Sequence, residues 1–373
     1  MMGRNMINEH KKNIKSIRWG RLTFIGVILL LSGCSNIGPK TVMRDRFNYN
    51  TAISNSWKQQ TLLNIVKLRY ADMPLFVEIA SVVNGYSIES SVNIGGSLSD
   101  GSSEFFSLGG ASKYTDRPTI TYAPITGKKF NYSFMTPIPP AAIFFLMQSG
   151  YPVKMIVPLT VDAVNGLQSR IFAGANTRPG DPGFYRMIEL LDKLQKSGNV
   201  GMRIVKGKGK NNISATKLFF YEKNLTPELS ATFAEFNTLL GIQPEIREMT
   251  ATYGLIPSQD NEIAMLTRSM LQIMIELSTQ VDVPPIHVEE NRTRPSLAAN
   301  EDRANSFKRL IKINSSKIKP EHSFTAVNYE GYWFWIDDCD LSSKRVFTFL
   351  MILISMTESG GDSNLPIITI PAG

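Results

Sequence analysis

The densest group of chemically capable side chains is the acidic run Asp337-Asp338-Cys339-Asp340. Carboxylate oxygens are the ligands that Ca²⁺ and Mg²⁺ prefer, so a cation site is one interpretation. The run also comes just before a predicted helix, where acidic side chains cap free N–H groups and complement the helix dipole. Because the spacing of an EF-hand is absent, helix capping is favoured, and no metal ligand is assigned.

An aromatic run, Tyr332-Trp333-Phe334-Trp335, immediately precedes these acids. In a strand, Tyr332 and Phe334 point to one face while the two tryptophans point to the other. One pair fills the core, and the other is either buried as well, which is favoured, or forms an exposed platform for a glycan or a partner protein. The candidate contacts for a ligand or partner are therefore Trp333, Trp335, Asp337 and Asp338.

Residues that would support catalysis are scarce. A serine triad or a zinc site needs a histidine held beside a partner, and after residue 34 the chain has only His287 and His322, both predicted in surface loops. The G-x-S-x-G, H-E-x-x-H and C-x-x-C motifs do not occur. The run Lys206–Lys210 lacks the P-loop spacing and is predicted to be a solvated turn. No catalytic residue and no cofactor is assigned, although an envelope hydrolase with a carboxylate-only site stays open.

The N-terminus carries a processing signal rather than a structural element. A basic leader precedes the apolar run Leu22–Leu31, which is about half the roughly 20 residues that a spanning helix needs. The run closes on Leu31-Ser32-Gly33-Cys34, which resembles the lipobox of bacterial lipoproteins. The resemblance implies that residues 1–33 are removed as a signal peptide and that Cys34 is acylated. Ser35 then favours the outer membrane, with the body on the periplasmic side.

Removal of that leader changes the charge balance. The remaining chain has 34 basic and 31 acidic residues, so the apparent basicity gives no support to nucleic-acid binding. The expected partners are the membrane, through the lipid anchor, and proteins, including copies of the same chain. Cys339 would be the last free thiol, and it is predicted to be buried and inert.

The elements that position these residues predict an α+β fold: an N-terminal helix and a long β-hairpin followed by ββαβ-like modules with mostly antiparallel sheets. Single strands are predicted at Val153–Val161 and Ala326–Ile336. Thr267 is predicted to cap one helix, and Thr226, followed by Pro227, is predicted to cap another. The organisation is a signal peptide (1–33), a lipid-anchored tether (34–49), a helix with a hairpin (50–117), an α+β region (118–281), a polar linker (282–306) and a C-terminal ββαβ domain (307–373).

The predicted hairpin, residues 86–114, alternates apolar with small polar residues on both arms. Its apolar face either covers the first helix or a neighbouring subunit, or enters a membrane, since each arm has about the 9–11 residues of a membrane-spanning strand. One hairpin has unpaired edges and cannot span alone. An oligomeric, pore-forming or export-associated lipoprotein is therefore the alternative to a scaffold.

Two further segments resemble a group of uncharacterised proteobacterial outer-membrane lipoproteins. They are Phe47–Glu78, with Trp57-Lys58-Gln59-Gln60 and Asn64–Tyr70, and Phe334–Asp338 with Ser343-Lys344-Arg345. The resemblance extends over most of the processed chain and implies no activity for any residue. The sequence therefore predicts a non-enzymatic cell-envelope lipoprotein that acts by binding or assembly.

Overall fold

The computed structural model describes residues 37–83, 85–97, 105–117, 119–171, 178–205, 215–221, 226–296 and 309–358. Several predictions lie outside these ranges: the signal peptide with Cys34, the hairpin turn at 99–103, the run Lys206–Lys210 and a last strand at Leu365–Ile370. The chain divides into two units, Met1–Lys58 and Gln59–Gly373, and all contacts described below lie within the second.

The first helix, α1, spans Ile37–Arg69. It begins earlier than predicted, so that residues 37–49, predicted as a tether before the helix, are helical. Two of its amide side chains hold the next segment. The Asn64 amide donates to Leu75 O at 2.8 Å and accepts from Leu75 N at 3.0 Å, and Gln60 makes the same pair of bonds with Val77. The two side-chain amides satisfy the backbone N–H and C=O groups of Leu75 and Val77, as a neighbouring strand would, and so fix where the first strand starts.

The long hairpin is confirmed. Strands β1 (Val77–Val83) and β4 (Thr119–Pro124) pair antiparallel and form its base. Strands β2 (Tyr86–Ser97) and β3 (Phe105–Asp116) extend from that base and pair without interruption from Tyr86↔Asp116 to Ser97↔Phe105. The β2 residues on one face, Ser87 to Gly95 at alternate positions, are exposed. The period-two pattern thus predicted both strands of the hairpin.

A short helix, α2 (Gly127–Phe130), and a π-helical turn, Asn131–Met135, lead into the main body. The body is a six-stranded sheet in the order β6-β5-β10-β9-β8-β7, antiparallel except for the pair β9–β10. Its strands are β5 (Val161–Val164), β6 (Leu167–Gln168), β7 (Val200–Val205), β8 (Ala215–Phe220), β9 (Glu248–Tyr253) and β10 (Glu262–Thr267).

Four helices supply the other half of this core: α3 (Pro140–Gln148), α4 (Val153–Thr160), α5 (Pro182–Lys196) and α6 (Pro227–Leu239). The Phe220 ring on β8 lies 4.3 Å, centroid to centroid, from the Phe233 ring on α6. Thr226 caps α6 and accepts a hydrogen bond from Leu229 N, as the sequence predicts. Helix α7 (Met270–Ser278) follows the sheet and begins with a capping box of Ser269 and Gln272, not at Thr267.

The C-terminal part is a three-stranded antiparallel sheet covered by a helix. Strands β11 (Asn314–Ser316), β13 (Tyr332–Asp337) and β12 (Ser323–Tyr329) lie in that order. Helix α9 (Leu341–Glu358) follows. The single strand predicted at Ala326–Ile336 was wrong, because Glu330 and Gly331 both have positive φ, at 50° and 80°. Positive φ at two consecutive residues is the geometry of a two-residue hairpin turn, which reverses the chain between β12 and β13.

Two other element predictions were wrong. Val153–Thr160 is helical, and only Val161–Val164 continues as a strand. Both kinds of element are buried here, so an apolar run does not distinguish them. The segment predicted as a polar linker contains helix α8 (Pro285–Glu289). Arg69 donates hydrogen bonds to the carbonyls of Arg294 and Pro295 at 2.9 and 2.7 Å, so that the described part of this segment, up to residue 296, is held against α1.

Candidate functional site

The outer face of the C-terminal sheet carries the predicted contact residues. Phe334 and Ile336 on β13 are fully buried, which turns Trp333 and Trp335 to the opposite face. Both tryptophans are half-buried rather than covered. The Lys319 ammonium lies 5.2 Å from the centroid of the Trp333 ring, a cation–π distance. The tryptophans therefore form a partly open aromatic strip.

Polar groups border this strip. The register places Trp333 between Ser316 and Asn328, and Trp335 between Asn314 and Ala326. Indole faces next to amide and hydroxyl groups can stack on an apolar ligand surface and hydrogen-bond its edge. Asp337, exposed at the end of the same strand, adds a carboxylate. These groups supply binding chemistry and contain no nucleophile paired with a base.

The acidic run is used for local structure. Asp340 accepts from Ser343 N at 3.0 Å and from Ser343 Oγ at 2.6 Å, which caps α9. Partial burial alone would raise the pKa of Asp340, but the hydrogen bonds from Ser343 outweigh it and hold this pKa below its usual value. Asp338 pairs with Lys344 at 2.7 Å, and Asp337 accepts from Cys339 N at 2.8 Å. The structure thus brings Asp337 to the tryptophan strip and ties Asp338 to the helix.

Among the described residues, no group of three or more His, Cys, Asp and Glu side chains is placed to hold a metal ion.

Cys339 is exposed, so the prediction that it is buried was wrong. Cys339 lies in the turn between β13 and α9. The buried apolar residues nearby belong to the strand and the helix, and the turn that joins them is at the surface.

A partly buried aromatic cluster, which the sequence did not reveal, lies on the opposite side of β13 from the tryptophan strip. His287 on α8 is only 2% exposed, so its predicted surface position was wrong. Its Nδ1 and the Tyr70 hydroxyl oxygen are 2.7 Å apart and share a hydrogen bond. The rings of Tyr329, Phe334 and Tyr332 complete the cluster around them. Pro285 could have signalled the short helix, since proline is favoured at the first helical position. It does not signal the burial of His287, because the neighbouring Ile286 is 42% exposed.

Burial dominates the electrostatics of this cluster. It raises the pKa of Tyr70 to about 12 and that of Tyr329 to about 12, the latter with help from Asp72, which accepts from the Tyr329 hydroxyl at 3.2 Å. Burial, and then the charge of Arg292, lower the pKa of His287 below its ordinary value near 6.5. At pH 7, Tyr70 and Tyr329 are therefore protonated and the His287 imidazole is uncharged.

Replacing His287 with glutamine should remove an acid-side loss of stability. Because the pKa of His287 is lowered on folding, the unfolded chain binds more protons as the pH falls below about 6.5, and the free energy of unfolding falls with it. One group contributes a slope of at most about 1.4 kcal/mol per pH unit. Urea unfolding between pH 4 and 8 measures this slope.

The matched control is His322, which is exposed. Its replacement by glutamine should leave the pH profile unchanged. A His287→Gln protein with the same slope as the original would show that His287 does not carry the acid sensitivity.

Comparisons with known proteins add no relative: no family model, no curated protein and no solved structure matches this chain.

Proposed function

We propose that this chain is a lipid-anchored component of the bacterial outer membrane that acts by binding and assembly, with no catalytic step. The body would lie on the periplasmic side, held through Cys34, and would associate with copies of itself and with other envelope components. The observation that carries the proposal is the hairpin of β2 and β3.

The hairpin has two strand edges that are available for pairing with another chain. Along its twelve-residue strands, β2 and β3 bond to each other, and in the described part of the chain no third strand joins either outer edge. An unpaired strand edge is a row of free N–H and C=O groups that a second chain can complete. On the exposed face of β2 the residues are small or polar. The charged residue on this face, Glu89, lies opposite Lys113 on β3. Such edges favour association of like hairpins.

The anchor would strengthen this association. A lipoprotein with more than one acyl chain stays on the membrane. Copies confined to one surface meet at a high effective concentration, so weak edge pairing is enough to hold them together. The tryptophan strip on the C-terminal sheet would be the surface that contacts other components.

A second candidate function is an oligomeric pore or export channel into which each copy inserts its hairpin. Strand length favours it, since twelve residues exceed the roughly 9–11 that span an outer membrane. Neighbouring copies would have to satisfy the free edges. Within the described ranges, no helix is long and apolar enough to cross a bilayer.

The native assembly size tests the proposal. The detergent-extracted, lipidated protein should run as a complex of several copies in size-exclusion chromatography with light scattering. Single copies at every concentration would contradict the assembly role. Conductance in planar bilayers separates the two candidates, because only a pore produces discrete steps.

Replacing Cys34 with serine tests the anchor. The lipobox pattern ends on this residue, so Cys34→Ser should abolish labelling with radioactive palmitate and leave the leader uncleaved or release the protein from the membrane. Mass spectrometry of the N-terminal peptide reads out both effects. Cys339→Ser is the matched control and should leave labelling intact, while an unlabelled original protein would contradict the anchor.

A further inference from the structure

An apolar groove lies where the last turns of α9 meet the segment before α3. Its volume is about 360 Å³, within the roughly 300–1,000 Å³ that ligand sites occupy. Tyr132 and Met356 at this groove are 57% and 42% exposed. The groove is lined by Tyr132, Thr136, Pro137, Ile138, Pro139, Ala142, Leu353, Met356 and Thr357.

The backbone along one wall of the groove offers no free donor. Thr136 N bonds to Asn131 O at 3.1 Å, and Ile138 N bonds to Arg268 O at 3.1 Å. Pro137 and Pro139 have no N–H group. An occupant therefore cannot add as a β-strand along this wall and must be held by apolar side-chain contacts.

The chain itself supplies a segment of that chemistry. The described part of α9 ends at Glu358, one residue after Thr357, which lines the groove. Fifteen residues follow, and they include Leu365-Pro366-Ile367-Ile368-Thr369-Ile370. Gly360-Gly361 precede this apolar stretch and give the backbone the freedom to reverse direction. A segment that begins at the rim of the groove is present there at an effective concentration in the millimolar range.

We propose that the C-terminal segment of this chain, through Leu365–Ile370, binds the groove between α9 and Pro137–Pro139. In this arrangement the segment covers Tyr132 and Met356. The proposal does not rest on assembly through the hairpin.

Disulfide trapping in the full chain tests this proposal. In a Cys339→Ser background, Ala142→Cys is combined with Ile368→Cys, and mild oxidation is followed by mass spectrometry of the linked peptides. The matched control pairs Ile368→Cys with Ser149→Cys, which is exposed at the far end of α3, about 10 Å along the helix. The cross-link to residue 142 should exceed that to residue 149 at least tenfold. Equal yields would overturn the proposal.

A second measurement does not depend on introduced cysteines. Ending the chain at Glu358 should raise the rate of peroxide oxidation of Met356 several-fold, and a synthetic peptide of residues 363–373 should restore the original rate. An Ile368→Asp peptide should need at least tenfold higher concentration, since it would place a charge against apolar walls. If Met356 is equally protected with and without the segment, another occupant such as lipid or a second copy covers the groove, and the proposal fails. Deleting the hairpin should change neither result.

Discussion

Replacing Tyr86–Asp116 with an Asn-Gly turn should convert the extracted complex into single copies. The deletion removes β2 and β3, whose outer edges are the surfaces proposed to pair between copies. The proposed lipid anchor and the tryptophan strip are left unchanged, so the expected result isolates the hairpin. Light scattering after detergent extraction measures the change. If the complex keeps its size, the assembly surface lies elsewhere and the proposal fails.

The backbone hydrogen bond between Arg117 and Gly85 marks a point where the hairpin can be removed without disturbing β1 and β4. Arg117 N donates to Gly85 O at 2.9 Å, and β1 pairs with β4 just beyond these residues. Asn-Gly is a preferred two-residue hairpin turn, so it can close the ladder at this point. The control is thermal unfolding of the body, which should keep its midpoint. A large drop in that midpoint would mean that misfolding, rather than loss of the hairpin, separated the copies.

Replacing Arg268 with methionine should destabilise the body by about 3–5 kcal/mol, because it leaves buried acceptors without a donor. The Arg268 side chain is 5% exposed. It donates to the Pro158 and Leu159 carbonyls at 2.8 and 3.3 Å, which satisfies the end of α4 and places a positive charge at the negative end of its dipole. Its other nitrogen contacts Asp162, Ser169 and the Arg170 carbonyl, each at 3.3 Å.

Arg186 is the matched control, since it also makes several charged contacts but at the surface. It forms a two-bond pair with Glu235 at 2.7 and 3.0 Å and remains 44% exposed. Arg186→Met should cost less than about 1 kcal/mol, because water and salt screen exposed pairs. Urea unfolding of both variants gives the comparison, and similar losses would mean that burial does not decide the value of these arginines.

The parts of the fold that the sequence predicted are those with a clear period or cap. Residues 86–97 alternate apolar and small polar residues at most positions, which was enough to predict the strand, although no residue pairing was predicted. Thr226 with Pro227 marked the start of α6 by chemistry that depends on neighbours in sequence. The capping role of Asp340 was predictable for the same reason.

The parts that were missed depend on distant partners. Strand β10 was not predicted, because its buried residues Ile263–Met265 are covered by pairing with β5 and β9, which are distant or separate elements in the sequence. The turn at Glu330-Gly331 was hidden by aromatic residues on both sides, which read as one continuous strand. His287 is buried by Tyr70, more than two hundred positions away, and no local pattern carries that contact.

The central pairing of β5 with β10 also bears on how the protein folds. Just after β5, the Asn165 side chain accepts a hydrogen bond from Ala264 N, 99 positions away, whereas β7, β8, α6 and β9 follow one another closely along the chain. Closing the longer loop costs more entropy, so this pairing should form after the folding transition state, once the local elements have assembled. Arg268 contacts Asp162 across the same closure. We therefore expect Arg268→Met to accelerate unfolding far more than it slows folding.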